Sequence, residues 1–249
     1  MPSLRVQLQP AFVLHSRNYR DSSHLLEVLT SQYGRVALVS KGSRRAVRGR
    51  SKGAILQPFI PLLISFTGRN ELMTLTGSEV AGPANTLVGE RLFSGIYLNE
   101  LVVRLLHRND AHPNLFIAYG NAVASLAEDK PLDDVLRQFE LKLLDELGYS
   151  FDLAVDGHSG EPVEEKYWYH YHQEFGLVRQ QTSSSPDNRV YSGEDLLAIA
   201  AGAQSDAARL TSKRLLREAL AGHLGDKPLK SRELFRRVGK PAVVGGEKI

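Results

Sequence analysis

The sequence predicts an α+β protein in two parts. A small closed β-barrel is expected over residues 1–80, and a mostly helical domain over 81–249 with a small irregular β insertion near 150–190. Three observations carry this expectation. Five short apolar or alternating runs fill the first part at even spacing. The apolar period then changes from two to about 3.6 residues. Charge is also segregated: residues 1–80 hold eleven Lys/Arg against four Asp/Glu, 81–205 hold nine against nineteen, and 206–249 hold eleven against five.

The five runs are QPAFVLHSR, HLLEVLTSQ, GRVALVSKG, LQPFIPLLISFTG and ELMTLTGSEV. Turn signals separate them at Asn18–Tyr19, Tyr33–Gly34, a glycine-rich stretch at 41–53, and Gly68–Arg69–Asn70. Five strands in so short a span suit an oligonucleotide-binding (OB) barrel, with an SH3-like barrel of similar count as the alternative.

Beyond residue 88, GERLFSGIYLNELVVRLLHR sets Leu92, Ile96, Leu98, Leu101, Val102, Leu105 and Leu106 at helical spacing. A second helix, NLFIAYGNAVASLAED, starts behind Pro113. In the third, PLDDVLRQFELKLLDELGYS, one face carries Leu132, Val135, Leu136, Phe139, Leu143, Leu144 and Leu147, and Gly148 closes its end. Asp133 and Asp134 sit in its first turn, where they complement the helix dipole. YWYHYHQEFGLVRQ alternates as a hairpin does, and QTSSSPDNR is a polar loop. Helices restart at GEDLLAIAAG, at DAARLTSKRLLREALAGHLG and at SRELFRRVG, the last with Ser231 as its expected N-cap.

Composition excludes several chemistries. There is no cysteine, hence no disulfide, no cysteine-ligated zinc and no thiol nucleophile. No phosphate-binding glycine loop, dinucleotide fingerprint, nucleophile elbow or HExxH helix occurs, so a binding protein is expected rather than an enzyme, with no cofactor. His170 and His172 share one strand face, but a solvated or aromatic-packed face is the stronger reading than a metal site. No signal peptide or membrane-spanning stretch is read, so a cytoplasmic, nucleoid-associated protein is expected, with no membrane partner.

The net charge of +3 hides basic ends around an acidic middle, a pattern that suits a polyanion partner. KGSRRAVRGRSKG, residues 41–53, concentrates this: Lys41, Arg44, Arg45, Arg48, Arg50 and Lys52, three glycines and no acid, between the third and fourth runs. Such a stretch gains little from burial, and its cations suit a sequence-indifferent phosphate contact through counterion release. Arg17, Arg20 and Arg35 at nearby turns extend the patch, and Tyr19 and Tyr33 offer stacking faces. A second basic segment holds Lys213, Arg214, Arg217, Lys227, Lys230, Arg232, Arg236 and Arg237.

Seven segments in order resemble the bacterial recombination mediator family RecO: AFVLHSR (11–17), GRVALVSKG (34–42), LQPFIPLLISFTGR (56–69), LFSGIYLNELVVRLL (92–106), RQFELKLLDELGY (137–149), SGEP (159–162) and KPLKSRELFR (227–236). The resemblance spans nearly the whole chain. It implies an OB domain followed by a helical domain, and binding of single- and double-stranded DNA. It further implies annealing of complementary strands, capture of the acidic C-terminal tail of single-stranded-DNA-binding protein (SSB), and work with RecR in loading RecA. By the resemblance the tail site lies around the third helix of the bundle, with Arg137 and Lys142 as cations and Phe139, Leu143 and Leu147 as apolar lining. Some members carry a four-cysteine zinc site just after the bundle; the matching segment here, GYSFDLAVDGHSGEPVEEKYW, departs from them in having no cysteine. An OB-fold RNA-binding or ribosome-associated protein is the alternative, because phosphate contacts dominate both kinds of complex.

Overall fold

In the computed structural model, residues 4–43, 46–47, 50–128, 130–180, 189–203 and 205–238 are described. Five strands close a barrel: β1 (Leu4–Tyr19), β2 (Ser23–Thr30), β3 (Gly34–Ser40), β6 (Pro61–Gly68) and β7 (Leu72–Val80). A two-stranded ribbon of β4 (Ala46–Val47) and β5 (Arg50–Ser51) rises between β3 and β6. The barrel order is β1-β2-β3-β7-β6, and within it β3 and β7 pair in parallel while the other neighbours are antiparallel. That crossover is the Greek-key closure of an OB barrel and decides between the two barrels the strand count allowed. Inside sit Val6, Val13, Leu26, Val28, Val36, Leu38, Leu62, Ile64 and Phe66, the inward half of alternating strands.

Three helices follow: α1 (Gly89–Leu105), α2 (Pro113–Ala127) and α3 (Leu132–Glu146). Pro113 opens α2 at a position where its missing N–H costs nothing. At the end of α3, Gly148 takes φ +79°, its N–H donates to the Asp145 carbonyl (3.0 Å), and the Tyr149 N–H donates to that of Leu144 (2.8 Å), a Schellman closure. Strands β8 (Trp168–His172), β9 (Gly176–Arg179) and β10 (Val190–Ser192) form a small sheet in the order β10-β8-β9. The sequence predicts its hairpin but not β10, whose three residues are too few to show a period. Then come α4 (Gly193–Ala200), α5 (Asp206–Leu224) and α6 (Ser231–Val238).

Barrel and helices share a core. Phe12, Leu14, Leu29 and Phe59 pack with Leu98, Leu101, Tyr119 and Phe139. Asn99 of α1 donates to the Leu14 carbonyl (2.9 Å) and accepts from the Tyr119 hydroxyl (2.6 Å), so the buried joint leaves no amide unsatisfied. Gly34 lies so close to the turn after α1 that a Cβ on it would come within 1.8 Å of the Asp110 carbonyl oxygen.

Candidate functional site

Two basic regions are built by different means. At one end of the barrel, Tyr19 pairs with Ser23 and His24 with Ser40, which brings the β1–β2 turn beside the end of β3. Exposed Arg17, Arg20 and Lys41 gather there, with the Arg20 guanidinium 5.2 Å from the centre of the Tyr19 ring. The root of the 41–53 segment is pinned by His24, whose Nδ1 lies 2.8 Å from the Ser43 hydroxyl, and by the Gly53 N–H donating to the Ser43 carbonyl (3.0 Å). Arg44, Arg45 and Arg48 lie outside the described residues, as do the side chains of Arg50 and Lys52.

Arg35 is at the other end. It pairs with Leu29 in the sheet, donates to Glu27 (2.7 Å), and sends Nε and a terminal nitrogen to the Leu106 carbonyl (both 3.1 Å). Arg108 also meets Glu27. Arg35 is therefore a joint between barrel and α1, remote from the cations it was expected to extend. Tyr33 packs edge-on against Phe66, with ring centres 5.7 Å apart.

The second region is a cleft of about 510 Å³ between four helices, each contributing one or two turns. Glu90, Ser94 and Tyr97 come from α1; Leu132, Asp133, Leu136 and Arg137 from α3; Lys213 and Arg217 from α5; Arg232 and Phe235 from α6. The spacings are those of single helix faces. Beneath the cleft lies Glu140, wholly buried, accepting from the Tyr97 hydroxyl at 2.6 Å and lying 2.6 Å from Arg137. Burial pushes the Glu140 carboxyl upward, against the opposing pull of Arg137 and of the Tyr97 hydrogen bond. Burial, then the nearby Glu140 charge, pushes the Tyr97 hydroxyl far up, so it remains a donor. Lys213 pairs with Asp133 (3.1 Å), whereas neither Arg217 nor Arg232 has an ion-pair partner among the described residues.

α6 is held as a wall of this cleft by α1. Glu100 accepts from the Lys230 N–H (2.9 Å), the Ser231 N–H (2.8 Å) and the Ser231 hydroxyl (2.7 Å). Arg104 donates to the Lys227 carbonyl (2.6 Å) and to that of Leu224. Ser231 is thus the first residue of α6 rather than the N-cap expected, and its N–H and hydroxyl donate to a carboxylate on another helix.

Of the residues placed at the tail site, the structure brings only Arg137 to the cleft. Phe139 is buried in the shared core against Tyr119 (ring centres 6.3 Å apart) and lines no cleft wall. Lys142 is bound to Asp145 (2.8 Å) and Glu146 (3.0 Å). At 3.6 residues per turn, Lys142 lies about 140° around α3 from Arg137 on the side away from Leu132 and Leu136, whereas Phe139 is in phase with Leu132 but about two turns farther along, where the shared core encloses it. The apolar members that α3 does give the cleft, Leu132 and Leu136, belong to the apolar face read from the sequence, at the N-terminal end of the helix. The basic segment also divides. Lys213, Arg217 and Arg232 line the cleft, Lys230 is exposed outside it, and Arg214 turns to the small sheet, donating to the Val190 carbonyl (3.1 Å) and lying over Tyr191. The side chains of Arg236 and Arg237 lie outside the described residues.

In the segment where the resemblance would set a zinc site, this chain has a carboxylate turn. Asp156 is buried and accepts from the backbone N–H of His158 (2.8 Å), Ser159 (3.0 Å) and Arg179 (2.9 Å). An oxygen set so engaged does not fit a metal, and no group of three His, Cys, Asp or Glu side chains suited to one occurs among the described residues. His172 instead stacks on Phe175, with ring centres 4.9 Å apart.

An OB barrel fused to this helical domain is the arrangement the resemblance implied, and comparison with known proteins agrees. Residues 4–84 match the family described as recombination protein O N terminal, and 88–233 that described as recombination protein O C terminal. The chain belongs to the RecO family. The DNA repair protein RecO of Nitrosococcus oceani is 49% identical over 240 residues, 95% of this chain and 96% of its own. RecO of Stutzerimonas stutzeri is 46% identical across 91% of this chain and 92% of its own, and RecO of Nitrosospira multiformis 42% across 93% and 96%. This RecO-family chain is a DNA repair and recombination protein, and no helix among its described residues is long and apolar enough to cross a membrane.

Proposed function

We propose that this chain binds single- and double-stranded DNA, anneals complementary strands and, with RecR, helps load RecA onto SSB-coated single strands. The observation that carries the reading is the convergence of Arg17, Tyr19, Arg20 and Lys41 with the root of the 41–53 segment at one barrel end. Annealing needs two polyanions brought close, so one strand must be screened against the other without its bases being gripped. Cations on a barrel end suit that task, since phosphate contacts position a strand and carry no sequence information.

The four-helix cleft serves the second part of the reading. An acidic peptide with an apolar end needs cations at a rim and an apolar lining, and Arg217 and Arg232 beside Leu132, Leu136 and Phe235 offer both. On this reading the cleft takes the SSB tail.

Strand annealing on SSB-coated oligonucleotides tests the whole. Replacing Arg44, Arg45, Arg48 and Arg50 by Ala is expected to slow annealing and to flatten the dependence of log K on log salt by about 0.9 per lost phosphate contact. An unchanged slope would remove the segment from the DNA site. Titrating a labelled tail peptide against Arg137→Ala tests the cleft, with on the order of tenfold weaker binding expected. Equal affinity would remove Arg137 from it. Competition between single-stranded DNA and RNA separates this reading from RNA binding.

A further inference from the structure

The floor of the cleft contains a wholly buried carboxylate. Glu140 lies between two residues that line the cleft: its Oε1 accepts from the Tyr97 hydroxyl at 2.6 Å, and its Oε2 forms an ion pair with an Arg137 terminal nitrogen at 2.6 Å without hydrogen-bond alignment. Removing a carboxylate from water is costly even beside a cation, and a hydrophobic residue would fill the same space at less cost. The arrangement therefore does little for stability that a leucine would not do.

Its geometric effect is on Arg137. The guanidinium is one of the most sheltered cations of the cleft, with 12% of the side chain exposed against 39% for Lys213. One terminal nitrogen is ion-paired with Glu140, and Nε is buried with no acceptor among the described residues. A buried N–H without an acceptor is unfavourable, and an arriving carboxylate relieves it. The planar guanidinium presents its remaining donors in a fixed fork only if the anchored side stays anchored. On α5, Lys213 is paired with the partly exposed Asp133 and Arg217 has no ion-pair partner among the described residues, so both suit side-chain acids at the rim.

We propose that Glu140 is a positioning residue, fixing the Arg137 guanidinium, with Tyr97, so that its free donors meet the terminal carboxylate of a peptide whose apolar end fills Leu132, Leu136 and Phe235. This rests on reading the cleft as a peptide site. Glu140 touches no ligand and acts through Arg137 alone. Fixing the fork before the ligand arrives lowers the entropy lost on binding and makes the site read a chain end rather than charge in general.

The test compares an acidic tail peptide with its C-terminal amide, which lacks only the terminal charge. Wild type is expected to prefer the free acid on the order of tenfold. Glu140→Gln, nearly isosteric, is expected to bring that ratio close to one. Tyr97→Phe is expected to lower it about threefold, since Oε1 loses its donor. The ratio is the readout because removing a buried negative charge by itself favours the more negative acid and would raise the ratio, so a ratio that falls reports the lost geometry of Arg137. A second readout needs no peptide: the Arg137 Nε–H resonance in the unliganded protein is expected to be slowly exchanging in wild type and fast in Glu140→Gln. A variant that keeps the wild-type ratio, or an unchanged Nε–H exchange rate, overturns the proposal. Should wild type bind neither peptide, the peptide reading falls, and the Nε–H rates still decide whether Glu140 holds Arg137.

Discussion

Arg137, Phe139 and Lys142 sit within six residues of one another and have three different fates. Arg137 reaches the cleft, Phe139 the shared core, and Lys142 an intrahelical pair with Asp145 and Glu146. Phase around α3 and distance along it separate them, and both were legible; what the segment did not show is which face meets α5 and α6. Asp156 is a sharper case, since nothing local distinguishes it from other loop acids. Burial pushes its carboxyl up, but the N–H groups of Ser159, Arg179 and His158 outweigh this and hold it below the ordinary 3.8. A carboxyl held low when folded stabilises the protein above its unfolded value and loses that contribution as pH falls through the folded one. Asp156→Asn is therefore expected to cost about 1–3 kcal/mol at neutral pH, with the gap from wild type closing below about pH 4. Thermal melts across that range check it, and a gap independent of pH would show that the charge is not what holds the turn.

At the scale of elements, α6 is too short to be stable alone, since isolated helices below about 12 residues are marginal in water. Its place comes from α1. Burial raises the Glu100 carboxyl, yet the hydrogen bonds from Ser231 and Lys230 outweigh it and hold it below the ordinary 4.5. The clamp is thus complete above that value and lost as pH falls through the lower folded one. Glu100→Gln is expected to speed amide exchange across 231–238 by on the order of tenfold, with little change in the amides of α3. Because Arg232 and Phe235 are walls of the cleft, the same substitution is expected to weaken tail-peptide binding. Unaltered exchange in α6 would mean that Phe93 and Phe235, with ring centres 5.8 Å apart, suffice to dock it.

At the scale of the molecule, barrel and helices are one body. The core that starts at Phe12 and Leu14 continues into α1, α2 and α3, and Arg35, Glu27 and Arg108 bind the barrel to the end of α1. One cooperative thermal transition is expected, and two separated transitions would show that the halves fold independently. Gly34 is the tightest point of the joint, at φ +60° with the Asp110 carbonyl against it. Gly34→Ala is expected to destabilise the fold by more than about 2 kcal/mol, combining a left-handed backbone penalty with a steric clash that only movement of the turn relieves. Urea melts measure it, and a change below about 0.5 kcal/mol would show that the turn yields freely.

The barrel's strand count, the helix number and the boundaries marked by Pro113 and Gly148 were legible because periodicity, proline and glycine act over a few residues, within reach of the chain's own order. The segregation of charge into a basic N-terminal part and a basic C-terminal segment was legible for the same reason. Contact between distant segments was not. The parallel closure of β3 on β7, the commitment of Arg35 to Leu106, the gathering of Arg137, Lys213, Arg217 and Arg232 around one cleft, and the burial of Glu140 beneath it all join residues far apart in sequence. Each of these depends on which faces pack together, and local sequence carries the faces but not their partners.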